Sequence, residues 1–325
     1  MSKKTIGSIV SAIVLFAGVA AGTSAQAQTP VRVANFPNSF VLPMYHALDK
    51  GYFKENGLDV DILSYQTGPA VVSAVVSGGA DIAWSASIPP IQARANGVPV
   101  QLFLTAAQER VPDHATLWLV GTGKAQVKSV ADLKEKTIMI NANGGGCELA
   151  LREHLAGAGL KWEDIKRIVV PFPEMQAALE LGKADVGCAI EPFYHAILAN
   201  KAIAAYTVAS GIFTKTPEPT LSNGFFARED WLKAHQGTAI KFEQAYTRAR
   251  KELEANRDLQ IKLATKVLGI TESLARDVDL IGWRQDSYVT TGAVAPIIEA
   301  MRQHGQIKTA VSAASVVNTL DHKQK

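Results

Sequence analysis

Residues 137–155 read TIMINANGGGCELALREHL, and this stretch decides the fold. Its first four residues are a short apolar run suited to a buried strand, residues 144–146 are glycines that turn the chain, and a helical pattern starts at Glu148. A strand that feeds a helix through glycines leaves the helix's first N–H groups uncovered beyond the strand end. Together with the helix dipole they form a cradle for an anion. The plainer alternative is a sharp turn that binds nothing. Neither GxxxxGK[ST] nor GxGxxG occurs, which disfavours a nucleotide.

Working outward, the same alternation fills the first two-thirds of the chain. Residues 31–34 predict a strand and NFPNSF (35–40) a loop; a helix then opens at Pro43 and ends at Gly51. In LDVDIL (58–63), Leu58, Val60 and Ile62 alternate with acids, which is a strand pattern. Thr67, Gly68 and Pro69 open a helix that stops at Gly78 and Gly79, and a strand over 81–84 leads through Ser85 and Ser87 into another proline-started helix. Such β-α-β-α-β order implies a parallel sheet flanked by helices. It recurs after Val130: a capping box at Ser129 and Asp132, a strand at 137–140, a helix at 148–156, a strand at 168–170, a helix at 175–181 and a strand at 185–190. Glu148 and Arg152, four apart with the acid first, suit a surface pair on that helix. Gly79-Ala80-Asp81-Ile82 answers Lys183-Ala184-Asp185-Val186, so the two halves read as a structural pseudo-repeat of two α/β lobes. VPDHATLWLVGTG (111–123) and FTKTPEPTLSNG (213–224) read as the crossings between them. The expected division is lobe 1 at 28–115 and 216–325, including a helical C-terminal tail after Ala239, and lobe 2 at 116–215.

Composition bounds the rest. With 325 residues, 47% of them apolar, the chain has material for one large or two medium domains. Residues 1–27 combine Lys3 and Lys4, an apolar run and Ala25-Gln26-Ala27, the pattern of a cleaved signal peptide. Removing that segment lowers the formal charge from +3 to +1, which gives no reason to expect nucleic acid. An exported compartment permits Cys147 and Cys188 to pair; two buried free thiols are the alternative. No HExxH, GxSxG or close His and Cys spacing appears, so no catalytic residue, metal or cofactor is expected.

MYHALDKGYFKENGLDVDI (44–62), AVVSGGADIA (74–83), SVADLKEKTI (129–138) and above all PFPEMQAALELGKADVGCAIEPF (171–193) resemble the solute-binding proteins of ABC importers for sulfonates, taurine, nitrate and thiamine precursors. The resemblance runs from Val31 to about Tyr206 and implies a type II periplasmic binding fold: two lobes, two crossings, and a ligand closed between them. It implies ligand loops at 35–40, 67–70, 84–87, 143–147 and 191–193. Each follows a predicted strand's carboxyl end, where open α/β sheets place ligands.

Asn35, Ser39 and Ser85 are then the expected side-chain donors of the first lobe, with the Gly68 and Ala70 amides beside them and Thr67 and Ser87 in the same loops. Asn143, Gly144, Gly145, Gly146 and Cys147 supply the second. Phe36, Phe40, Trp84 and Phe193 would line an apolar or aromatic body; Glu191 would bind a hydroxyl or amine or tie the lobes together, the alternative being a solvated rim carboxylate; Arg110 could pair with a carboxylate or sulfonate, but a surface position is the preferred reading. For Ser39 and Ser85 the alternative is helix capping; for the aromatics it is the core. The expectation is a periplasmic, monomeric subunit that captures a small organic anion and delivers it to ABC permease subunits in the inner membrane. The alternatives are a neutral thiamine-type pyrimidine or flavin as ligand, or a periplasmic enzyme using the same cleft.

Overall fold

The computed structural model describes residues 1, 27–216 and 218–322, so the predicted signal peptide lies outside the described residues apart from its two ends. The chain opens with β1 (Thr29–Asn35), α1 (Leu42–Asp49), α2 (Tyr52–Glu55), β2 (Leu58–Ser64), α3 (Gly68–Val76), β3 (Ile82–Ala86), α4 (Ile88–Ala95) and β4 (Val100–Glu109). It continues through β5 (Trp118–Gly121), β6 (Thr137–Ile140), α5 (Gly146–Gly157), β7 (Lys166–Val169), α6 (Phe172–Glu180), β8 (Val186–Ala189), α7 (Phe193–Ala199) and β9 (Tyr206–Ser210). β10 (Thr220–Arg228) follows, then α8 (Glu229–Ala234), α9 (Gln236–Glu254), α10 (Arg257–Leu268), α11 (Glu272–Asp277) and α12 (Thr291–Gln303).

The strands form two five-stranded sheets of matching order, β2-β1-β3-β10-β4 and β7-β6-β8-β5-β9. In each, the first three strands are parallel and the fourth runs antiparallel to both neighbours. The repeated Ala-Asp pair has one physical job in both sheets. Asp81 donates its N–H to Arg32 O (2.9 Å) and accepts the Arg32 N–H on its carboxylate (2.8 Å). Asp185 does the same with Thr137, at 2.9 and 2.8 Å. Each carboxylate thus pairs a neighbouring-strand N–H one residue before the β1–β3 or β6–β8 ladder begins, where the ladder would leave it orphaned.

Two readings need correction here. The stretches taken as crossings contain β5 and the first half of β10, and both strands lie second from an edge of their sheets. Thr-Leu-Ser-Asn-Gly reads as a turn by composition, but burial between β3 and β4 makes it a strand with shifted register around Ser222. Gly224 is required there, since a Cβ would stand 2.6 Å from the Leu104 carbonyl oxygen. The true crossings are residues 110–117 and 211–219. Second, Glu148 and Arg152 do pair at 2.9 Å, but Glu148 is buried rather than on the surface.

α9 packs its buried Phe242 and Tyr246 against Phe225 of β10, and Phe242 also stacks on Phe53. Arg250 on the same helix is 1% exposed and donates to the carbonyls of Ala106, Ile281 and Gly282, tying the C-terminal helices to β4. Among the described residues, no helix is long and apolar enough to cross a membrane.

Candidate functional site

The carboxyl ends of β1, β3, β6 and β8 converge from the two sheets on one partly open cavity. It holds about 40 Å³ of room for the centre of a water-sized sphere, inside an envelope of about 520 Å³. That is roughly three water-sized positions. Four aromatic rings line it: Phe36, Phe40 and Trp84 from the first sheet's side and Phe172 from the second's. Phe36 meets Trp84 edge-on at 5.0 Å and Phe172 at 6.2 Å, so the rings bridge the two halves. Phe36 and Phe172 also border a wider outer groove of about 600 Å³, which Phe193 lines.

The glycine turn lies on the second half's face of the cavity. Gly145, Gly146 and Cys147 line it, and the first N–H groups of α5 have no partner within the helix. Ala86, Ile88 and Leu117 stand 3.6–3.9 Å from where a Gly146 Cβ would be, so the halves touch here. Gly144, at φ +70, faces Gln92 of α4, whose Oε1 would lie 2.5 Å from a Cβ. Its N–H is already taken by Glu148 Oε2 at 2.9 Å, and Glu148 Oε1 accepts from Arg152. Cys147 and Cys188 are joined in a disulfide rather than standing as two free thiols; it fixes the start of α5 to β8 beside the cavity.

Of the predicted contacts, the cavity gathers Phe36, Phe40, Gly68, Trp84, Gly145, Gly146 and Cys147. The others sit elsewhere. Asn143 is exposed. Thr67 caps α3 by accepting the Ala70 N–H at 3.4 Å, so that amide is not free for a ligand. Ser85 donates to Ala86 O (2.7 Å), and Ser87 donates its hydroxyl to Leu221 O (2.7 Å) and its N–H to Ser222 O (2.9 Å), holding the irregular part of β10. Ser39 donates its N–H to Glu191 O at 3.3 Å and its hydroxyl to the same oxygen at 3.4 Å, a link between the halves. Glu191 is 1% exposed and bonded to His195 Nδ1 at 2.5 Å; burial pushes its carboxyl above the usual range against that pull, and the carboxylate raises His195 in turn. Asn35 is fully buried off the cavity, and Arg110 lies over Trp283 at 5.1 Å, also outside it.

Sequence reasoning missed the polar part of the wall: Thr116, Asn141, Ser222 and Asn223. Asn141 directly follows β6 where Asn35 ends β1, so the pseudo-repeat carried a signal for it. Thr116 lies on the first crossing, and Ser222 with Asn223 lies on the register shift of β10, a device that re-aims side chains toward a site. Behind them stands Glu109, at the end of β4 and fully buried. Its carboxylate accepts Thr116 N–H (3.2 Å) and Oγ1–H (3.0 Å) from the first crossing and Ile212 N–H (2.6 Å) from the second. Burial outweighs these bonds and pushes the carboxyl up to about 7. One acid therefore fastens both crossings together.

Two halves of matching topology, joined by two crossings and closed on a cavity between strand ends, define a two-lobed binding-protein architecture. The same fold is found in the alkanesulfonate-binding protein SsuA from Xanthomonas axonopodis pv. citri bound to MOPS, with a TM-score of 0.77 at 20% identity over 91% of this chain and all of that one. The chain belongs to the NMT1/THI5-like family, whose model matches residues 38–258. Its relatives include a putative binding protein, YtlA, of Bacillus subtilis, 29% identical over 75% of this chain and 72% of that one. A 4-amino-5-hydroxymethyl-2-methylpyrimidine phosphate synthase of Saccharomyces cerevisiae is 31% identical over 48% of this chain and 44% of its own length.

Proposed function

We propose that this chain is the exported, periplasmic substrate-binding subunit of an ABC importer, closing its two lobes on a small organic anion and handing it to a permease in the inner membrane. The observation that carries this reading is the cavity lined from both lobes, with Gly146 and Cys147, the first residues of α5, on its wall. Preformed N–H groups replace the water lost by ligand oxygens, so little binding free energy goes to ordering loops. The aromatic rings suit an apolar or aromatic body behind the polar head. Names among similar proteins, an alkanesulfonate-binding protein and a putative binding protein, support the class. An enzyme with the synthase's chemistry is disfavoured where it would need a thiol, because both cysteines of the chain are tied in the disulfide.

A neutral pyrimidine-type heterocycle is the second reading, favoured by one observation: among the described residues, no charged side chain lines the cavity. A thermal-shift screen over sulfonates, aromatic carboxylates, nitrate and pyrimidines decides between them. A rise in melting temperature with the anions is expected; a rise with pyrimidines alone rejects the anion.

A further inference from the structure

The inner cavity and the outer groove share a wall. Phe36 and Phe172 line both spaces, and among the described residues no other residue does. One ring comes from each lobe: Phe36 directly follows β1, and Phe172 opens α6. Their centroids stand 6.2 Å apart, and both residues are buried. On one side of them lies about 40 Å³ of room for the centre of a water-sized sphere, on the other about 600 Å³.

Neither ring is free to swing aside. Phe36 packs edge-on against Trp84 at 5.0 Å, and Phe172 stacks on Phe193 at 5.7 Å. The backbone of Phe36 is held as well, because the fully buried Asn38 donates its amide to Phe36 O at 2.7 Å and accepts the Phe40 N–H at 2.9 Å. Pro171 and Pro173 flank Phe172 and fix φ on both sides of it. Side chains packed this closely move with their backbones, so the wall parts when the lobes part and not by a change of rotamer.

We infer that Phe36 and Phe172 are the size-determining pair of the cleft: as the lobes come together the two rings meet and partition the inner cavity from the outer groove, so that a guest too long for the cavity props them apart. The partition belongs to the fold, whereas the size role rests on the cleft being the capture site.

Acrylamide quenching of Trp84, which lines the inner cavity, tests the partition without a ligand. The Trp84 signal is the difference between each protein and the same protein carrying Trp84→Phe. Neighbours fill only part of the space a truncated ring leaves, so Phe172→Ala is expected to raise the Stern–Volmer slope at least about threefold. Phe172→Leu, which guards against loss of the fold, should raise it by less. Leu117→Ala truncates another wall of the same cavity and should leave it unchanged. An unchanged slope in both Phe172 variants, or an equal rise in Leu117→Ala, overturns the inference. Calorimetry with benzoate and biphenyl-4-carboxylate reads the size role: in Phe172→Ala the ratio of affinities should shift toward the longer acid by at least about tenfold. A ratio that does not shift overturns that role and leaves the capture reading intact. Binding of neither acid to any of the proteins rejects the anion instead, and the quenching result then decides the partition.

Discussion

Glu109→Gln makes a measurable case about stability. The carboxyl is fully buried, and its value of about 7 compares with an ordinary 4.5. At about 1.4 kcal/mol per pH unit, that gap is worth about 3 kcal/mol. The sign follows from which state holds the proton more tightly. The folded protein does, so the extra stability is fully present below pH 4.5 and is lost as pH rises through about 7. Glutamine cannot titrate, and other groups contribute nearly equally to both proteins. Urea unfolding of wild type and variant across this range should therefore show the wild type's advantage shrinking by about 3 kcal/mol as pH rises. An advantage that stays flat, or that grows with pH, refutes the reasoning. Growth would mean that the donors of Thr116 and Ile212 outweigh desolvation and hold the carboxylate ionised.

Three further outcomes are expected. Gly145 has extended backbone (φ −97, ψ 178) that valine adopts, but a Cβ there already lies 3.4 Å from Asn141 Oδ1 and the Ala142 carbonyl; Gly145→Val should cost at least about tenfold in ligand affinity, about 1.4 kcal/mol, with the circular dichroism spectrum unchanged. Unchanged affinity would remove the glycine turn from the site. Replacing both Cys147 and Cys188 by serine opens a loop between residues 41 apart, which the chain-entropy model values at about 4 kcal/mol; urea unfolding with and without reductant checks it, and a loss under about 1 kcal/mol contradicts it. Glu153 of α5 accepts from His304, just past α12, at 2.7 Å across the two halves, so Glu153→Gln should favour the open form by up to about 1 kcal/mol, seen as a larger radius of gyration in small-angle scattering of the ligand-free protein.

The legible parts of the fold were those in which local pattern and tertiary role agree. Leu58, Val60 and Ile62 alternate because β2 has one buried face near its start, and the Asp81 and Asp185 motifs repeat because each closes the same pair of backbone bonds. β10 was illegible because its Thr-Leu-Ser-Asn-Gly start carries turn chemistry, and only neighbours on both sides make it a strand. β5 was hidden by its four-residue length inside a segment that does cross. The site divided along the same line. Its aromatic and glycine members follow strands that were recognised, whereas Thr116, Ser222 and Asn223 lie in segments read as linkers. Ser39, Ser85 and Ser87 carry the right chemistry for ligand contact but spend it on the backbone. Spacing alone does not reveal which carbonyl a hydroxyl will meet.

The placement of β10 between β3 and β4 bears on how this chain comes to be made. A chain emerging end-first would present β3 and β4 with no strand between them until residue 228 had followed. All strands of the other sheet lie within residues 118–210 and are available earlier. The later-starting half is thus the one able to complete its hydrogen-bond ladder first, while the half that begins the chain waits with two raw edges for its last strand to arrive.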